Sequence, residues 1–424
     1  MPEPETPLSE RPWEAVERML GVDEALARML AAFAPLPAVD APILDGLGLT
    51  LAEDVRAVEP TPPFRNSAMD GYAVRAGDTD RAAFAAGVRL RVVGMGAAGA
   101  PAAARVEPGT AVRIMTGAPM PDGADAVVRF EETDEGRGAS GRTVTVFHPA
   151  APGDNVREAG EDVPAGSVVL AAGRRLRPAD IGLLASVNRT SARVRPRARV
   201  AILSTGDEVV EPGAPLDPGQ IRNSNSYTLA AMAREWGASV RLLGVARDRA
   251  DALAARLDEA ADADLIVTSG GVSVGDFDLV KDVLRRHGEV SIWQVRMKPG
   301  KPLAFGAIGG TPLLGLPGNP AAAAVSFLVF GRPAIARMMG QPESWPHLTA
   351  TIAEPLDNRG MRRHYVRVRL EPGGDGCPVA RPLAGQGAGV LSGLANADAL
   401  LIVPETIERA EPGMRFDAIP LHPD

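Results

Sequence analysis

One cysteine stands in 424 residues, Cys377, and that scarcity excludes a disulfide framework and a thiolate metal site. Histidine is nearly as rare: the five present are scattered, which argues against a zinc centre. An excess of basic charge is missing as well. Acids number 53 against 45 bases and leave a formal net charge of −8, so the chain lacks the electrostatic footprint of a nucleic-acid binder. Any anionic ligand then needs a local basic cluster or a metal. Long apolar runs are also lacking. The longest, around "AAAAVSFLVF" (321–330), falls far short of the ~20 residues that cross a bilayer. The opening "MPEPETPLSERPWEAVERML" is acidic and proline-rich, unlike a signal or transit peptide. These absences together point to a cytoplasmic protein without membrane or nucleic-acid partners.

What is present is ordinary globular composition, with 45% hydrophobic and 23% charged residues, in a chain too long for one core. Three or four structural units are expected. Glycine (46) and proline (38) are frequent, but they punctuate periodic segments and read as many short loops.

The segment "VDEALARMLAAF" places Leu26, Met29, Leu30 and Phe33 on one helical face, with Asp23 positioned as a cap. From about 55 to 152 the texture is β, in "GYAVRAG", "VRLRVVG", "TAVRIMTG", "DAVVRFEET" and "RTVTVF". A further strand and a short helix starting at Pro178 follow. Near 196 the rhythm changes. Strands "ARVAILSTG", "SVRLLGV" and "DLIVTSGG" alternate with helices "SNSYTLAAMAREWG", "ADALAARLDEAA" and "DLVKDVLRRHG". Then come "VSIWQV", "PLAFGAI" and "PLLGLPG" as strands, and a long closing helix from Pro320. That alternation predicts a doubly wound, mostly parallel sheet, whose ligands lie beyond the carboxyl ends of the strands. Residues 341–424 return to β texture. One literal match to a dinucleotide fingerprint, "GMGAAG" (94–99), is set aside because "APAAARVEPG" after it offers no helix N-terminus.

Four loops at the ends of these strands carry unusual chemistry. "LSTGDEVV" holds Gly206, Asp207 and Glu208; "VARDRADAL" holds Arg247 and Asp248. "TSGGVSVGDFD" holds Gly270, Gly271, Ser273, Asp276 and Asp278, while "KPGKPLAFG" and "LPGNP" supply Lys298, Lys301, Pro302 and Asn319. The glycines leave an anion-sized hollow, yet acids follow them where a phosphate loop would have a lysine. Gathered carboxylates repel one another unless a cation neutralises them, and a hard ion such as Mg2+ does so while bridging to phosphate oxygens. Plainer readings stand beside this one. Asp276 also suits a helix cap, Asp278 a first-turn carboxylate, Asp207 and Glu208 a solvated turn, Asp248 a helix start, and the two lysines surface charge. Their joint occurrence favours a site. In the β region, "FRNSAMDGYAVR" and "RIMTGAPMPDGADAVV" present Asp70 and Thr116 beside strands, whereas Asn66 suits a simple turn.

These motifs, with "VDEALARML", "NVREAGEDVPAG" and "STGDEVV", run in order along nearly the whole chain. They resemble the MoeA family of molybdopterin molybdenumtransferases, to which the E-domain of gephyrin is similar. The resemblance implies an elongated, four-domain homodimer whose active site is shared between subunits. Its domains are a discontinuous N-terminal one (8–54 and 153–190), an inserted β domain (55–152), an α/β domain (191–340) and a C-terminal β-barrel (341–424). It implies Mg2+-dependent conversion of adenylylated molybdopterin and molybdate into molybdenum cofactor and AMP, beside molybdopterin adenylyltransferase and the recipient molybdoenzymes. By motif, Glu208, Asp248 and Asp278 match the acidic set around metal and substrate, and Asp70 and Thr116 match functional positions of the inserted domain. Gly270, Gly271, Ser273 and Asn319 fall in substrate loops, and Lys298, Lys301 and Pro302 resemble the loop that binds molybdate or phosphate. Arg362, in "MRRHYVR", matches a basic position of the last domain.

The sequence departs from the family pattern at Arg65, where many relatives carry an acid, and at Ala322 and Ala388, where some carry serine. Two other functions share the fold: a molybdopterin adenylyltransferase, which "SGGVSVGDFD" and the extra length disfavour, and a non-catalytic assembly protein, which would tolerate an eroded acidic rim.

Overall fold

The structure, a computed structural model, describes residues 19–83, 86–135, 141–247, 249–271, 288–374 and 376–422. It divides into two compact units, one of residues 19–39, 48–52 and 194–422, the other of 40–47 and 53–193.

In the second unit the expected β texture forms a five-stranded sheet in the order Ala126–Arg129, Gly71–Val74, Thr110–Ile114, Val88–Gly96 and Thr143–Val146. Alternation along the strands fills both faces. Tyr72, Val74, Leu90, Ala111 and Val128 pack on one side, and Ala73, Val112, Ile114 and Val127 on the other. The "GMGAAG" segment ends its strand at Gly96, and Ala97 and Ala100 then exchange two backbone hydrogen bonds of 2.9 Å in a tight turn, with no helix following. Asn66, expected in a simple turn, instead opens the short strand Asn66–Ser67, which pairs antiparallel with Val156 and Arg157, while its side-chain amide donates to Phe64 O at 3.2 Å. A helix begins at Pro178, and the Asp180 carboxylate accepts the Arg177 N–H at 2.9 Å.

In the first unit, strands Ser239–Ala246, Arg199–Thr205, Leu265–Ser269 and Thr311–Leu316 lie parallel in that order. Strands Pro302–Ile308 and Gly288–Gln294 extend the same sheet antiparallel. Helices cover both faces. Val200, Ile202 and Val267 pack with Leu229, Ala233 and Phe327, while Ala201, Leu203 and Ile266 pack with Leu253 and Leu257. Each fully buried Leu or Ile contributes about 1.5–3 kcal/mol, which is what fixes the strand order. Because Pro302–Ile308 runs against Thr311–Leu316 with Ala304 opposite Gly315, its start lies on the rim where the parallel strands end. The expected helix "DLVKDVLRRHG" lies largely outside the described residues.

Two expectations need correction. Asp23 does not cap the helix Val22–Leu30: Gly21 holds that position, and Asp23 lies in the first turn. Its carboxylate instead takes both guanidinium nitrogens of Arg363 at 2.7 Å, a bidentate charged pair stronger than one N–H cap. The apolar run at 321–330 also continues further than its composition suggests. Pro320–Met338 is one 19-residue helical span, long and apolar enough to cross a membrane, and 89% buried inside the fold. Its middle turn, Phe327–Gly331, is π-helical, and Phe327 there stacks on Trp236.

The C-terminal β texture closes on itself. Arg363–Glu371, Val379–Pro382, Leu348–Ile352, Arg415–Pro420 and Ala399–Val403 are neighbours in that order, and the last pairs back to the first, making a five-stranded barrel. Ala350, Ile352, Val366, Val368 and Leu401 fill it. The short strand Met297–Lys298 pairs in parallel with Arg363 and His364, joining the barrel to the rim of the α/β sheet.

Candidate functional site

Strand Arg199–Thr205 ends at Gly206, whose φ of +133° lies outside the range other residues adopt readily. A Cβ there would stand 2.6 Å from Glu208 Oε2, so glycine is what lets the exposed Glu208 carboxylate fold back over the strand end. The Glu208 carbonyl accepts the Ile221 N–H at 2.8 Å and fixes the turn. Gly270, leaving the neighbouring strand at φ +95°, packs as closely: its Cβ would lie 2.8 Å from Thr205 O and 2.9 Å from Thr205 Oγ1. The Gly270 N–H donates to Leu316 O at 3.1 Å. Asn225 ties in the third loop, its amide donating to Ser269 Oγ at 2.7 Å and to Gly318 O at 2.8 Å.

Glu208, Gly270, Gly271 and Asn319 therefore stand in adjoining loops on the carboxyl rim. Around them Thr205 Oγ1, Thr268 Oγ1 and Asn225 Oδ1 are buried without a hydrogen-bond partner among the described residues. A carboxylate with unpaired hydroxyl and amide oxygens is a hard-oxygen donor set, the chemistry that suits Mg2+ and not a softer metal. Asp248, Ser273, Asp276 and Asp278 lie outside the described residues. Among the described residues no three His, Cys, Asp or Glu side chains gather at metal-binding distance.

A second group of residues adjoins this rim. Lys298 is the register partner of His364 in the parallel pair that joins sheet to barrel. Burial, and the Arg362 guanidinium beside it, hold the Lys298 ammonium below its ordinary range. Neither Lys298, Lys301 nor Arg362 forms an ion pair among the described residues, whereas Arg113, Arg199, Arg337 and Arg363, for example, each pair with a carboxylate. Pro302 opens the strand that follows, and Val295 N–H donates to Lys301 O at 2.8 Å. Gly300, between the lysines, lies against Ser326 Oγ, which is buried without a hydrogen-bond partner among the described residues. The two alanines singled out in the sequence meet here: Ala322 N–H donates to Ala388 O at 3.1 Å. Arg367, 1% exposed, holds that loop from below by donating to Gly387 O at 3.1 Å and Val390 O at 3.0 Å.

Asp70 and Thr116 belong to the other unit, where they contact each other. Asp70 Oδ1 accepts the Thr116 N–H at 2.7 Å and its Oγ1–H at 2.8 Å. Those two bonds, backbone first, lower the Asp70 pKa, and Arg113 adds a smaller share. Arg65, at the departure from the family pattern, pairs with Glu158 at 2.9 Å.

Sequence reasoning passed over Thr205, Asn225, Ser326 and His364. Only His364 carried a signal, inside a basic segment already quoted for its arginine. Ser326 sits in an apolar run, and the other two sit in segments read as strand and helix.

Residues 20–188 match the family described as MoeA N-terminal region (domain I and II), 201–337 a probable molybdopterin binding domain, and 349–421 the MoeA C-terminal region (domain IV). A Mycobacterium tuberculosis protein named molybdopterin molybdenumtransferase 2 is 41% identical over 400 residues, spanning 92% of this chain and 96% of that one. A Haemophilus influenzae protein named molybdopterin molybdenumtransferase is 38% identical over 355 residues, spanning 82% and 85%. Among solved structures, a molybdopterin biosynthesis MoeA protein from Pyrococcus horikosii aligns with a TM-score of 0.82 at 33% identity, covering 96% of this chain and all of that one.

Proposed function

The chain belongs to the MoeA family of molybdopterin molybdenumtransferases, and from that premise we propose that its two adjoining clusters hold the two halves of one reaction. It is a transferase of molybdenum cofactor biosynthesis. The substrates we assign are adenylylated molybdopterin and molybdate, and the products molybdenum cofactor and AMP.

On this reading the diphosphate of the adenylylated substrate lies against the glycine turns at Gly206, Gly270 and Gly271, with Ser273 and Asn319 as polar contacts. Glu208, with Asp248 and Asp278, holds Mg2+. When bound, that ion neutralises the diphosphate oxygens on which charge grows as the bond to AMP breaks. Lys298, Lys301, Pro302 and Arg362 hold molybdate. Two cations kept close, without acidic partners among the described residues, are poorly matched to each other and well matched to an oxyanion, so the tetrahedral dianion is oriented before the dithiolene sulfurs take the metal. Asp70 and Thr116 act on the same reaction. A homodimer with a shared site, a cytoplasmic location and the four-domain division at 8–54 with 153–190, 55–152, 191–340 and 341–424 belong to this reading.

The observation that supports it most is the cationic pair Lys298 and Arg362, without an acidic partner among the described residues, at the rim of a chain whose net charge is −8. The test is AMP release from adenylylated molybdopterin with and without molybdate. Molybdate-dependent release that Lys298→Ala abolishes is expected; ATP consumption with molybdopterin alone would indicate an adenylyltransferase instead.

A further inference from the structure

His364 is a buried imidazole that the fold does not use. It is 1% exposed, and neither Nδ1 nor Nε2 has a hydrogen-bond partner among the described residues. Buried polar groups are paired in the great majority of cases, because an orphaned one loses its water without compensation. The bland alternative, an apolar residue at this barrel position, would fill the same space without that cost.

Its neighbours say what the missing partner is. On one side its register partner is Lys298; on the other it is Val403, which brings no charge. Arg362 precedes it by two residues, and Arg367 also acts on it. Burial, then Lys298, Arg362 and Arg367, push its pKa down to about 3, so the ring is neutral and offers one N–H donor. A neutral donor next to unpaired cations suits an acceptor-rich anion. Hydroxyl side chains commonly perform that task, and Ala322 and Ala388, hydrogen-bonded to each other nearby, have none to offer.

We propose that His364 is an oxyanion-binding residue of this chain, its imidazole N–H donating to the tetrahedral anion held by Lys298, Lys301 and Arg362. The assignment rests on the reading of that cationic group as the molybdate site.

Calorimetric titration of the full chain with molybdate alone at pH 7.5 tests it, using His364→Leu, His364→Gln and Lys298→Ala. His364→Leu should weaken molybdate binding about tenfold or more while thermal stability is kept or raised, since an orphaned polar group is removed. His364→Gln, which restores an N–H donor, should bind within about threefold of the parent chain. A purely structural histidine would lose stability and keep affinity. If His364→Leu binds like the parent while Lys298→Ala does not, the role of His364 is overturned and the site stands. If both bind like the parent, the cationic site itself is wrong. Should His364→Leu fail to fold, the imidazole 15N shifts of the parent chain decide the matter, assigned with His364→Gln: a change on adding molybdate is expected, and none overturns the proposal.

Discussion

Gly206 and Glu208 form one device: a Cβ on the first would stand 2.6 Å from Oε2 of the second. The residue that turns the chain out of the sheet also makes room for the acid two positions on. Gly206→Ala has to strain a backbone at φ +133° and displace the carboxylate, at a cost of about 1–3 kcal/mol. The expected outcome is a folded protein whose Mg2+ requirement for AMP release rises about tenfold, measured as the half-saturating Mg2+ concentration. An unchanged Mg2+ curve would mean that Glu208 does not work from this position.

Asp70 accepts two hydrogen bonds from Thr116 on one oxygen, and an asparagine oxygen is able to accept both. Asp70→Asn therefore keeps both hydrogen bonds and removes only the charge. Turnover should fall by about tenfold with the melting temperature unchanged, since the loss of a charge that acts in the transition state lowers kcat and not folding. Equal activity in the variant would leave Asp70 as a fastener of two strand ends.

His364 gives the fold a dependence on acid. Its folded pKa of about 3 lies below the usual histidine value, because burial and three cations oppose the charged form. In the unfolded chain the ring takes up a proton as pH falls through about 6.5, while the folded chain does not until about 3. Its contribution is thus complete above pH 6.5 and is lost progressively on the way down. Between pH 8 and pH 5 the loss is about 2 kcal/mol, measured as denaturation free energy, and His364→Gln should lack that part of the decline.

Much of the α/β layer was legible in the sequence because it is local. Strand and helix periods alternate from Arg199 to Met338, and a glycine soon after each of three strands, at Gly206, Gly270 and Gly318, marks ends that meet at the rim. The rim positions of Glu208, Gly270 and Asn319 therefore follow from the strand pattern alone. What escaped depends on pairings distant in the chain. Asp23 reads as a cap until Arg363, 340 positions away, takes its carboxylate. His364 becomes conspicuous only when the barrel strand lays it beside Lys298, and no periodicity announces that register. Ser326 lies within an apolar helix and looks like core until Gly300 is seen resting on its hydroxyl.

The most direct test of the metal-and-diphosphate site is AMP release from adenylylated molybdopterin during a Mg2+ titration, comparing the parent chain with Asp278→Ala and Glu208→Ala. The parent should be inactive without Mg2+ and active with it, and both variants should lose about a hundredfold or more at every Mg2+ concentration. Full turnover by either variant at the parent's Mg2+ requirement would contradict an acidic rim that holds the ion against the diphosphate.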